Sequence, residues 1–127
     1  MRFRNDDGLF TFLCRVLGDD ISFAIIRSTI RECMPAIEIS KGSKIPVSSV
    51  YKKIRKLQEY GIIRVEKIDI DPRSGKKIAY YRSRIKSLEL RLSDAGDTSL
   101  CVETHASDSH KDSNARKDIF AAIAKRE

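Results

Sequence analysis

The spacing of apolar residues changes once along this chain, near Gly61, and divides a helical half from a β-rich half. Before that point they recur every three or four residues. Over 8–18, Leu9, Phe12, Leu13, Val16 and Leu17 sit at helical spacing between two glycines and predict a first helix. Over 19–33, Ile21, Ala24, Ile25, Ser28, Thr29 and Cys33 mark one helix face, and Phe23, Ile26 and Ile30 mark a second. A helix apolar on more than one side belongs in the middle of a core, and Asp19 or Asp20 is placed to cap it. Pro35 opens a third, short helix carrying Ala36, Ile37 and Ile39, with Gly42 expected to stop it.

The fourth helix, over 46–60, is the most asymmetric. Val47, Val50, Ile54 and Leu57 fall in one sector and predict a core-facing side. Ser48, Lys52, Arg55 and Glu59 fall opposite, with Ser49 and Lys56 on one flank and Tyr51 on the other. Pro46 suits the first turn, and Ser43 or the turn itself is left to supply the cap.

After Gly61 the pattern favours strands. "IIRVEKIDI" (62–70) and "IAYYRS" (78–83) are rich in β formers and flank "DPRSGKK", whose Asp-Pro and Ser-Gly pairs are turn signals. They predict a hairpin whose flexible tip carries Arg73, Lys76 and Lys77. "RIKSLELRLS" (84–93) and "TSLCVET" (98–104) predict a second, weaker pair around "DAGD". Composition then turns polar from Thr104 to Lys117, reading as a linker or disordered tail, and "DIFAAIAKRE" (118–127) fits a short last helix. The expected division is a domain over 1–103, with the second strand pair as its C-terminal extension, and a polar linker with a short helix or tail over 104–127.

Charge sharpens this picture. The net charge is +7. Residues 41–86 hold 14 Lys and Arg against 4 Asp and Glu, a balance of +10, while the remainder balances to −3. A localised excess is what a polyanion-binding surface needs, whereas a merely solvated surface predicts no such asymmetry. The outward face of the fourth helix has a direction as well. Ser48, Ser49 and Tyr51 come first, short or hydrogen-bonding, as base edges in a major groove require. Lys52 can reach bases or backbone, and Lys53, Arg55 and Lys56 suit phosphates. On an isolated helix the same face reads as a solvated one; the short helix before it, the basic hairpin after it and the charge balance favour DNA contact. Arg73, Lys76 and Lys77 fit a neighbouring minor groove or its phosphates, although surface turns also carry lysine for solubility.

Other chemistry finds little footing. Cys14, Cys33 and Cys101 are scattered and odd in number, which argues against a disulfide framework. They read as small apolar side chains, at least two of them in core faces; a redox sensor is the sharper alternative. Cys101, His105 and His110 match no standard metal spacing. No nucleophile–base pair, phosphate loop or carboxylate pair stands at a usable spacing, so no enzyme and no cofactor is expected. No apolar run is long enough to cross a bilayer, and Asp6 and Asp7 argue against a signal peptide, so a cytoplasmic protein without a membrane partner is expected.

Helix, helix, short helix, turn, helix, hairpin is the order of a winged helix-turn-helix, an α+β fold. Leu17-Gly18-Asp19, Ile39-Ser40, the Ile45–Tyr51 run "IPVSSVY" and Tyr81-Arg82-Ser83 resemble motifs of the archaeal ArsR-type winged-helix regulators, over about residues 9–104. The resemblance implies a homodimeric, sequence-specific regulator of transcription bound to double-stranded DNA. In it Val47, Ser48, Ser49, Tyr51 and Lys52 face the major groove, and Arg73, Lys76 and Lys77 form the wing contacts. Metal-sensing members carry paired cysteines in the first motif helix; here that helix reads "PAIEIS", so metal sensing does not carry over. The dimer surface is expected on the first helix, through Phe10, Phe12 and Leu13, with the C-terminal segment. A winged-helix protein-interaction module in a transcription or RNA-processing assembly is the alternative.

Overall fold

A computed structural model describes residues 2–4 and 8–105, except for the side chains of residues 2–4 and Leu9. The fold is α+β. Strand β1 (Arg2–Arg4) precedes helices α1 (Gly8–Gly18) and α2 (Asp20–Thr29). A two-residue strand β2 (Met34–Pro35) leads into α3 (Ala36–Ser43) and α4 (Val47–Glu59). Two antiparallel hairpins follow: β3 (Ile63–Ile70) with β4 (Lys77–Ser83), and β5 (Ile85–Leu92) with β6 (Thr98–Thr104). They belong to two three-stranded sheets, in the orders β2-β4-β3 and β1-β6-β5. The polar linker and last helix expected over 104–127 lie outside the described residues beyond His105, as does His110.

One core joins all these layers. Leu13, Ile25, Ile39, Ile54, Ile63, Ile85 and Val102, drawn from the four helices and from β3, β5 and β6, are at most 1 % exposed. Leu13 is therefore unavailable to a dimer surface, contrary to expectation, and Phe12 packs edge-on against Tyr60 with ring centroids 4.6 Å apart. The cysteines also depart from expectation. Cys14 and Cys33 are only partly buried and Cys101 is exposed, because β6 directs Leu100 and Val102 inward and the residue between them outward.

Helix ends show which local signals act. Asp19 caps α2, its carboxylate accepting from the Ser22 amide at 3.0 Å and the Ser22 hydroxyl at 2.7 Å. The helix stops at Thr29, short of Cys33. Met34 precedes a proline, which disfavours helix, and pairs instead with Tyr81. Arg82 closes that end by donating to the carbonyls of Ile30 and Arg31 at 3.3 and 3.1 Å. Gly42 does not stop α3. The helix runs on to Ser43, and Lys44 terminates it in the left-handed region (φ 58°), its amide bonded to the Ser40 carbonyl. Pro46 lies just outside α4, as the capping residue rather than in the first turn. Its carbonyl accepts from the Ser49 and Val50 amides, and no side chain caps the helix. At the other end of α4, Gly61 (φ 76°) donates to the Gln58 carbonyl and Ile62 to that of Leu57, with Ile62 and Leu57 both buried. This paired arrangement needs a left-handed residue, which glycine supplies without strain.

The turn from β4 into β5 is equally fixed. The fully buried Ser83 hydroxyl accepts from the Ile85 amide at 3.0 Å and donates to the Ile85 carbonyl at 3.1 Å. Arg84 ties this corner to the end of α4 through the carbonyls of Ile62 and Gly61.

Asp19→Ala is expected to cost about 1 kcal/mol at neutral pH, the usual worth of such a cap. The Ser22 hydroxyl and amide, and after them Lys53, hold the Asp19 carboxyl below its ordinary pKa. Its contribution is therefore complete above the ordinary aspartate value and is lost as pH falls through the lower folded value. Denaturation of both proteins at neutral and strongly acidic pH should show the gap between them closing in acid.

Candidate nucleic-acid interface

The periodicity of α4 separates two faces. Val50, Ile54 and Leu57 are at most 2 % exposed. Ser48, Tyr51, Lys52, Arg55 and Lys56 are exposed, and Ser49 is half-buried. Val47 departs from the core-facing expectation. It is 41 % exposed, because it begins the helix beside an exposed Pro46 and the core does not reach that far. Lys52, Lys53, Arg55, Lys56 and Glu59 line a shallow groove of about 310 Å³ along the helix.

Lys53 has a specific partner. Its ammonium lies 3.3 Å from the Asp19 carboxylate and ties α4 to the start of α2. Both side chains are more than a third exposed, so water screens the pair and its worth is small. Sequence spacing could not show this, since Asp19 and Lys53 belong to different helices.

The β3–β4 hairpin presents Arg73, Lys76 and Lys77, all exposed. Lys77 is the first residue of β4 rather than part of the turn. The turn is tied, not loose as its composition suggested. Asp71 accepts from the Arg73 amide at 2.9 Å and the Ser74 hydroxyl at 3.0 Å, and these bonds hold its carboxyl below the ordinary range. The Asp71 amide donates to Lys76 and the Gly75 amide to Asp71, with Gly75 at φ +70°. Asp71 thus orders the turn that carries the cations.

Helix and hairpin meet at Tyr81. Its hydroxyl is held above its ordinary pKa by burial first and then by the neighbouring Tyr51, while Arg55 acts in the opposite sense. Tyr81 was not singled out by its spacing. Its only sequence signal was its place in the Tyr-Arg-Ser triplet.

Elsewhere the chemistry is quieter. Burial and the Glu66 carboxylate push the Cys33 thiol up, away from the thiolate a redox sensor needs. Among the described residues no cluster of three or more His, Cys, Asp or Glu is placed to hold a metal. No described helix is long and apolar enough to cross a membrane.

The chain matches no protein-family model, no curated protein and no solved structure.

Proposed function

We propose that this chain is a winged helix-turn-helix regulator of transcription that binds double-stranded DNA in a sequence-specific manner. In this reading α3 and α4 form the helix-turn-helix, α4 enters the major groove and the β3–β4 hairpin is the wing. The observation that carries it is the exposed face of α4, with hydroxyls and Tyr51 toward its N-terminal end and Lys52, Arg55 and Lys56 beyond them, above a fully buried inner face. Small hydrogen-bonding groups there suit base edges, and the cations suit the phosphates flanking them. Arg73, Lys76 and Lys77 supply further phosphate contacts. Lys53 joins them by exchanging its screened Asp19 partner for a phosphate. The chain acts as a cytoplasmic homodimer, two recognition helices reading half-sites about 34 Å apart. The ArsR-type resemblance belongs to this reading, without its cysteine metal site, and the role is one of binding, not catalysis.

A protein-interaction module is the second reading. It is favoured by a groove of about 530 Å³ between α2 and α3, lined by the exposed Phe23 together with Arg27, Met34 and Glu38.

Selection of bound duplexes from a random pool, followed by affinity measurement, separates the two. Lys56→Ala is expected to weaken binding to cognate and random DNA alike. Ser49→Ala and Lys52→Ala should change sequence preference, by about 1–3 kcal/mol at the affected position. Equal losses on all DNA for the three variants would remove the assigned roles, and no binding at low salt would leave the interaction module standing.

A further inference from the structure

The hairpin exposes more than its cations. Ile68 is 57 % and Ile70 65 % exposed, both within a β-strand, where an isolated apolar side chain would need no account but two in line do. Their direction is set by an irregularity in the strand. Val65 pairs with Tyr81, but Lys67, not the intervening position, pairs with Tyr80, so Glu66 is an extra residue. Such a bulge shifts the alternation by one. Regular pairing would have sent Ile68 and Ile70 to the face of Arg64 and Arg82. The bulge instead sets Ile68 opposite Ala79 and Ile70 opposite Lys77, on the same face as Ile63, Val65 and Tyr81.

That face runs outward from the core and meets α4 at Tyr81, beside Tyr51 and Arg55. Tyr51 lies one turn from Val47 and one turn from Arg55, so these three form a stripe along the helix, with Val47 and Tyr51 41 % and 43 % exposed. The apolar path thus has a helix part, Val47 and Tyr51, and a hairpin part, Val65, Ile68 and Ile70, to either side of Tyr81. Arg55 stands beside Tyr81, and Lys77 pairs with Ile70 at the far end. No carboxylate stands on the hairpin part of the path: the paired residues on that face are Ile, Val, Ala, Tyr, Ser and Lys. Asp69 faces the other side, and Asp71 is engaged in the turn.

We propose that this hairpin face is a contact surface for duplex DNA, with Ile68 and Ile70 packing on deoxyribose faces and base edges between the phosphates that Arg55 and Lys77 hold. The inference rests on the DNA-binding reading above and deepens it. The hairpin would grip by apolar contact along its strands as well as by charge at its tip. An apolar strip with Arg55 and Lys77 along it, and no carboxylate on its hairpin part, fits a nucleic-acid backbone, which alternates phosphate with sugar; Glu59 lies one turn beyond Arg55 on the helix, away from the hairpin.

Salt separates apolar from ionic contact, because only neutralised phosphates release counterions. Affinity for one selected duplex is measured over a salt series for the wild type, Ile68→Ser/Ile70→Ser and Lys77→Ala. The double variant is expected to lose roughly tenfold at every salt concentration with an unchanged slope of log K against log salt. Lys77→Ala is expected to reduce the slope by about 1 for each bound protomer. Ile70→Ser alone should lose about threefold. Both isoleucines are exposed, so thermal midpoints should match the wild type. Wild-type affinity in the double variant overturns this inference alone, as does a loss that takes the form of a changed slope. A loss that accompanies conversion of dimer to monomer by light scattering also overturns it, since the face would then join two copies. A wild type that binds no duplex overturns the DNA reading and this inference together.

Discussion

Raising monovalent salt from about 50 mM to about 200 mM should weaken binding of one protomer to a single DNA half-site by about a thousandfold. The magnitude follows from the number of cations on the proposed surface. Lys52, Arg55, Lys56, Arg73, Lys76 and Lys77 are exposed on α4 and the hairpin, and none has a carboxylate partner among the described ion pairs, whereas Lys53 must give up Asp19 to reach a phosphate and so adds no net charge to the count. If each of the six neutralises one phosphate, log K falls with log salt at a slope near −5, which over a fourfold rise in salt gives about three decades. Titration of a labelled duplex by fluorescence anisotropy at several salt concentrations reads the slope directly. A slope near zero would mean that the +10 balance of residues 41–86 serves solubility and not nucleic-acid binding.

Ile54→Ala should destabilise the fold by about 3–4 kcal/mol, a large part of the 5–15 kcal/mol typical of a domain. Ile54 is 1 % exposed at the middle of the inner face of α4, between Val50 and Leu57. Its truncation removes apolar burial and leaves a cavity that flanking helices fill only in part. Urea denaturation should show a lower midpoint with an unchanged m-value. Lys56→Ala, two positions along and on the exposed face, should change stability by less than about 0.5 kcal/mol. The contrast tests the two-faced reading of α4. If both substitutions destabilised equally, the outer face would be packing against something rather than meeting solvent.

Much of this was legible along the chain. Four helices and two hairpins emerged from the change of spacing at Gly61, and the strands begin and end within a residue or two of the expected bounds. Errors cluster at ends and edges. Gly42 read as a stop, but glycine only permits a left-handed residue; the one that adopts it is Lys44, held by the Ser40 carbonyl. Cys33 read as a helix residue because its spacing fits, yet Pro35 and the pairing of Met34 with Tyr81 turn the chain before it. β1 and β2 escaped notice because three and two residues are too few to show a period.

The proposed site divides along the same line. Which residues face outward on α4 is a property of one helix, because 3.6 residues per turn sort them without reference to the rest of the molecule. The charge asymmetry is likewise in the sequence alone. Tertiary structure decided the rest: Lys53 tied to Asp19, Arg82 closing α2 from a strand some fifty positions later, Asp71 ordering the hairpin turn, and β1 pairing with the end of the described chain at β6. It also decided that Glu66 bulges and so turns Ile68 and Ile70 onto the face of Tyr81. Each of these depends on which distant segment comes to lie alongside, and a local period carries no record of its neighbour.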